Sequence, residues 1–155
     1  MKFELVEVVP ESPTLAMELE FVRMLRNSVR DKMTGNSNLI SSSEQITWFK
    51  TLNHESLKLF LFIINNEAAG YGIIRYAEDS YPWLTGVLLE EFRGSGYGKV
   101  LFEMLTDTAL ESSREVYLNA FESNVNAVGM YHSIGYVPIE KRNGIITMMY
   151  HRVDE

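Results

Sequence analysis

Three glycines at alternate positions, Gly94, Gly96 and Gly98, lie between Arg93 and Lys99 in the run Arg93-Gly94-Ser95-Gly96-Tyr97-Gly98. Glycine takes positive φ and lets a ligand approach the backbone, so such a run leaves several N–H groups free to converge on one anion. An apolar run ending at Leu88-Leu89 precedes it and an amphipathic helix follows. That helix start adds orphan N–H groups and the positive end of its dipole. The chemistry predicted is binding of a phosphate or pyrophosphate. A P-loop does not fit, because Gly98-Lys99 is followed by Val100 and Arg93 stands where the leading glycine belongs. A dinucleotide fingerprint does not fit either: its third glycine comes one residue later, in a unit near the start of a fold.

The pattern that remains, R-x-x-G-x-G over Arg93, Gly96 and Gly98, resembles that of the GCN5-related N-acetyltransferases. A second segment, Asn124-Val125-Asn126-Ala127, then Tyr131, then Gly135-Tyr136, is similar to the family's N-x-x-A-x-x-x-Y-x-x-x-G-[FY]. The resemblance spans roughly residues 57 to 153. It implies an α/β (α+β) fold, with a mixed, largely antiparallel sheet of about seven strands and about four helices. The sheet would be splayed between the strands at 83–89 and 116–121. It also implies acetyl-CoA as co-substrate, no metal, and direct transfer of acetyl to a primary amine. On this resemblance Leu88 and the run Arg93, Gly94, Ser95, Gly96, Tyr97 and Gly98 hold acetyl-CoA, Asn124 contacts pantetheine, and Tyr131 protonates the departing thiolate.

Residues 24 to 49 resemble a branch of that family whose members act on nucleotide-linked amino sugars, protein N-termini or small molecules. The branch resemblance puts Arg26, Asn27, Arg30 and Met33 on the acceptor side and favours an amino sugar or nucleotide-linked amino sugar over a peptide. Some protein-acetylating relatives place a Glu base where this chain has Asn119, which leaves Glu122, Glu78 and Asp79 as open choices. The residue types also allow plainer roles. Asn124 can cap a helix, Tyr131 can pack at a boundary, and Arg26 with Arg30 can form a solvated stripe. Trp48, Phe49 and Trp83 read as core ahead of substrate platforms. A non-catalytic acyl-CoA sensor or scaffold of the same fold is the rival reading.

These residues need a frame, and 155 residues at 46% hydrophobic suffice for one domain over 1–155. A net charge of −7 argues against nucleic acid or an anionic membrane as partner; the partner the resemblance implies is a small-molecule amine, with a homodimer left open. Without cysteine there is no disulfide or thiolate site, and His54, His132 and His151 are too scattered for a metal. The absence of a leader or long apolar run suggests the cytoplasm.

Alternation predicts a strand over Phe3 to about Val8, stopped before Pro10. Helical spacing predicts a helix from Ser12-Pro13 to about Val29, and a second from Ser43 through Leu52. Leu57–Ile64, Ala68–Tyr76 and Trp83–Leu89 read as a meander turned at Asn65-Asn66 or Asn66-Glu67, with Gly70 and Gly72 marking a bulge or a close neighbour. The helix after Gly98 should lay Val100, Leu101, Met104, Leu105 and Thr108 on the sheet. Val116–Phe121, a short helix from Asn124 to Gly135, and strands at 136–141 and 145–153 turned by Asn143-Gly144 complete the chain.

Overall fold

The computed structural model describes residues 1–76 and 81–153. Its strands are β1 (Phe3–Glu7), β2 (Leu57–Ile64), β3 (Glu67–Tyr76), β4 (Pro82–Leu88), β5 (Glu115–Phe121), β6 (Val137–Arg142) and β7 (Ile145–His151). The helices are α1 (Leu15–Ser28), α2 (Ser42–Thr51), α3 (Tyr97–Ala109) and α4 (Val125–Ile134). Local chemistry accounts for most boundaries. The β2–β3 turn holds Asn65 and Asn66 at φ 48° and 65°, and the β6–β7 turn holds Asn143 and Gly144 at 52° and 77°, left-handed values that tight hairpins require. α2 begins one residue earlier than expected, because the capping pair is Ser41 with Glu44. The Ser41 hydroxyl accepts from the Glu44 N–H at 3.1 Å, and the Glu44 carboxylate accepts from the Ser41 N–H at 3.1 Å.

The seven strands form one sheet in the order β1-β2-β3-β4-β5-β7-β6, antiparallel except between β4 and β5. Each face is covered by a helix pair. Leu19, Val22 and Leu25 of α1 and Phe49 of α2 pack with Leu59 and Tyr71 on one face. Leu101 and Leu105 of α3 and Tyr131 of α4 pack with Phe62, Ile74, Val116 and Leu118 on the other. The chain therefore buries two apolar clusters, one on each side of a shared sheet.

α3 is rotated relative to its expected face. Leu101, Phe102, Leu105, Thr106 and Ala109 point inward, while Val100, Met104 and Thr108 are only half-buried. Thr106 can take an inner position because its hydroxyl lies 2.7 Å from the Phe102 carbonyl and 2.7 Å from the hydroxyl of the fully buried Tyr136. The helix also sits on a flat spot. Gly72 and Gly86 pair directly across β3 and β4, and a β-carbon on Gly72 would lie 2.7 Å from the methyls of Leu105. The β2–β3 register slips near Gly70, between Phe62 and Ile63, so a bulge and a close neighbour both occur.

At the far end β6 is an edge strand, exposed along its whole length, with a register break between Pro138 and Glu140. No helix among the described residues is long and apolar enough to cross a membrane.

If the Gly72–Gly86 pair seats α3, Gly72→Val forces Leu105 out of place. Overpacking of this kind costs about 1–3 kcal/mol, so the urea midpoint should fall with little change in slope.

Candidate functional site

The parallel pair β4 and β5 is joined at one register position, Trp83 opposite Tyr117, after which the strands part. Which backbone groups this exposes follows from their other neighbours. The Leu89 N–H donates to the Ala69 carbonyl at 2.8 Å, so by alternation the N–H and C=O of Gly86 and Leu88 point away from β3. On β5 the Glu122 N–H donates to the Gly144 carbonyl at 2.8 Å, so the N–H and C=O of Asn119 point away from β7. The peptide groups of Gly86, Leu88 and Asn119 thus line an open slot. Around it lies a cavity of about 1150 Å³, bordered by residues from both faces of the sheet.

On the α3 side the slot opens beside the glycine run. Gly94 and Gly96 have φ of 79° and 86°, and no atom would meet a β-carbon at either within 4 Å. Gly96 is the N-cap of α3 and offers no side chain, so the first-turn N–H groups are not capped from within. The N–H groups of Gly94 to Gly98 have no acceptor among the described residues. Arg93 turns back to the slot, donating from Nε at 3.1 Å and Nη2 at 2.9 Å to the Leu88 carbonyl. A multiply charged anion fits this cradle by charge and by open space.

Tyr131 comes to the same slot from α4. Asn124 caps that helix, its Oδ1 accepting from the Ala127 N–H at 3.3 Å, and also borders the cavity. The Tyr131 ring meets Phe102 edge-on at 4.8 Å. The residue borders the cavity. Burial pushes this phenol up to about 12, so it holds its proton at neutral pH.

Of the residues expected on the co-substrate side, Leu88, Arg93, Gly94, Gly98, Asn124 and Tyr131 border the one cavity. Ser95, Gly96 and Tyr97 belong to the same turn, with Tyr97 packed between Phe3 and Phe92. On the acceptor side Arg26 and Met33 border it, and Asn27 and Arg30 do not. Asn27 clamps the following loop instead, donating from Nδ2 to the Ile40 carbonyl at 2.8 Å and accepting from the Ile40 N–H at 3.1 Å. Arg30 is exposed on a 3₁₀ turn.

Among the candidate bases, Glu122 is exposed and paired with Lys141 at 2.5 Å, away from the cavity. Glu78 and Asp79 lie outside the described residues. Asn119 borders the cavity and accepts from the Thr147 hydroxyl at 2.7 Å. Among the described residues no group of side chains could hold a metal ion.

Several cavity residues read as core or are passed over in the sequence. Phe49 is core as expected, but Trp48 and Trp83 are half-buried and border the cavity with Glu44 and Arg75. Arg75 could have been singled out as the charge that follows Ile73-Ile74 in an apolar strand. Its guanidinium carbon lies 5.9 Å over the Trp83 ring, which stacks on Tyr117 at 5.0 Å.

Residues 22–136 match the model of the acetyltransferase (GNAT) family. No curated protein is a significant match to the chain. Among solved structures, the N-acetyltransferase PseH of Campylobacter jejuni, in complex with acetyl coenzyme A, superposes with a TM-score of 0.77 at 15% identity, covering 98% of this chain and 100% of its own. The spermidine N-acetyltransferase of Vibrio cholerae, in complex with CoA and spermine, gives 0.80 at 15%, covering 97% and 95%. A ribosomal-protein-alanine N-acetyltransferase of Brucella melitensis gives 0.75 at 14%, covering 97% and 99%. At these identities the likeness is one of fold.

Proposed function

The chain belongs to the GNAT acetyltransferase family, and from that premise we propose that it is a single-domain, cytoplasmic, acetyl-CoA-dependent N-acetyltransferase. Its acceptor is the primary amine of a small molecule, an amino sugar or nucleotide-linked amino sugar ahead of a peptide. The observation that carries this reading is one cavity bordered by an anion cradle, a protonated buried phenol and unpaired strand peptides.

Acetyl-CoA, when bound, supplies the thioester. The N–H groups of Gly94 to Gly98 and the start of α3 take its pyrophosphate, with the Arg93 guanidinium beside them. Gly86 and Leu88 present the free edge of β4 to the pantetheine. The Leu88 N–H, pointing into the slot, donates to the carbonyl oxygen as it gains charge. Tyr131 holds a proton ready for the sulfur as the C–S bond breaks. Desolvation that lifts the phenol also raises the thiolate's demand for that proton, so the transfer does not depend on an acidic tyrosine.

The amine must lose a proton before it attacks. Glu44 is the carboxylate bordering the cavity among the described residues, and it is a poor base, since the backbone N–H of Ser41 and then its hydroxyl hold the carboxyl below its usual value. Among the described residues this leaves water to take the proton. This arrangement lends some weight to a second reading, an acyl-CoA sensor without turnover.

Three outcomes test the enzyme reading. Gly96→Val puts a β-branched residue at φ 86° and should abolish acetyl-CoA binding in calorimetry, while Arg93→Ala should weaken it by about 1–3 kcal/mol. Unchanged affinity in the glycine variant would remove the co-substrate assignment. Tyr131→Phe should keep that affinity and slow single-turnover acetyl transfer by about 10² to 10⁴. A wild type that binds acetyl-CoA yet transfers to no amine establishes the sensor. Finally, kcat/KM should rise with pH as the amine deprotonates. With the phenol at about 12, Tyr131 should add no falling limb below about pH 10.

A further inference from the structure

The half of the cavity on the α1–α2 face carries charges that transfer to an amine does not need. Among the described residues the cavity is bordered by four cations, Arg26, Lys32, Arg75 and Arg93, against one carboxylate, Glu44. Arg93 belongs to the glycine turn, and Glu44 is engaged by Ser41. That leaves three cations on the acceptor half of a protein whose net charge is −7.

None of the three has a carboxylate partner among the described residues. Arg26 is 9% exposed, and its guanidinium donates to the Asn36 and Asn38 carbonyls and to Asn27 Oδ1. Buried charges are ordinarily paired with an opposite charge, and neutral acceptors leave most of this one uncompensated. Arg75, on β3 opposite Trp83, has the indole face as its contact, and its donor fork has no acceptor among the described residues. Trp83 and Tyr117 stack beneath it at the closed end of the slot, where β4 and β5 are still joined. Leu88, whose N–H meets the thioester carbonyl, is five residues from Trp83 on β4, or about 17 Å along a strand.

We propose that Arg75 binds a negatively charged group on the acceptor, a phosphate or carboxylate about 17 Å along the strand from the peptide that meets the thioester, with a flat ring of the acceptor at the edge of the Trp83–Tyr117 stack and the buried charge of Arg26 adding to the positive field. This rests on the acetyl-transfer reading and names the substrate class for it: an anionic, ring-bearing amine. Polyamines are disfavoured, because their second charge would meet Arg75 and Arg26 with the same sign.

The anion site can be read without turnover. With the protein saturated in CoA, so that the glycine turn is filled, tryptophan fluorescence and calorimetry are followed on adding UDP, glucuronate or glucose. UDP or glucuronate should bind and perturb the tryptophan signal while glucose does not, and whichever anion binds identifies phosphate or carboxylate as the source. Arg75→Gln, at an exposed position, should weaken that binding at least about tenfold. No binding of either anion to the wild type, or equal affinity in Arg75→Gln, overturns the proposal and leaves acetyl transfer standing. In turnover, Arg75→Gln should raise the KM for a phosphorylated or nucleotide-linked amino sugar and leave kcat alone, and wild type preferring spermidine over every anionic amine also overturns it. Failure of the acetyl-transfer reading is distinguishable, since it shows as absent acetyl-CoA binding or turnover with the anion site still titrating.

Discussion

Everything at the centre of this molecule depends on a pairing that stops. β4 and β5 share one register position and then diverge, so the peptide groups of Gly86, Leu88 and Asn119 lack the neighbours a continuous sheet would give them. An unsatisfied buried peptide group costs about 1–3 kcal/mol. The fold tolerates the cost where the strands border a cavity, in reach of water or of a ligand whose amides can replace the missing strand. The slot is therefore a defect in the sheet that the rest of the structure holds open.

What holds it open is α3. This helix is seated on Gly72 and Gly86, and its first turn carries the glycine cradle, so one rigid element fixes both the depth of the slot wall and the position of the anion site. Arg93 ties the two ends together. Its guanidinium reaches the Leu88 carbonyl, one of the groups the divergence exposes, and so compensates part of the defect while remaining beside the cradle. Tyr131 arrives from α4, packed on Phe102 of the same helix.

Features set by neighbours in sequence were legible from the chain alone. The two hairpin turns, the glycine run opening α3 and the Asn124 cap all depend on a few consecutive residues. The rotation of α3 was not legible, because Thr106 turns inward to meet Tyr136, thirty residues away in the chain. Asn27 and Arg30 show the limit of carrying a pattern over. They follow Arg26 by one and four residues, yet one clamps a loop and the other faces solvent. The acceptor half was misjudged for the same reason: Trp48 and Trp83 read as core ahead of substrate platforms, and with Arg75 they come from three elements that become neighbours only through packing.

The outer strand β6 has a bearing on the company this protein keeps. Every residue of it is exposed, and Val137 and Ile139 would suit a further strand. Pro138 withholds a donor, and the register break beside it twists the edge out of the flat line that a second chain would need. The sheet thus carries its own terminator, and crowded copies find no straight ladder here on which to extend toward a fibril.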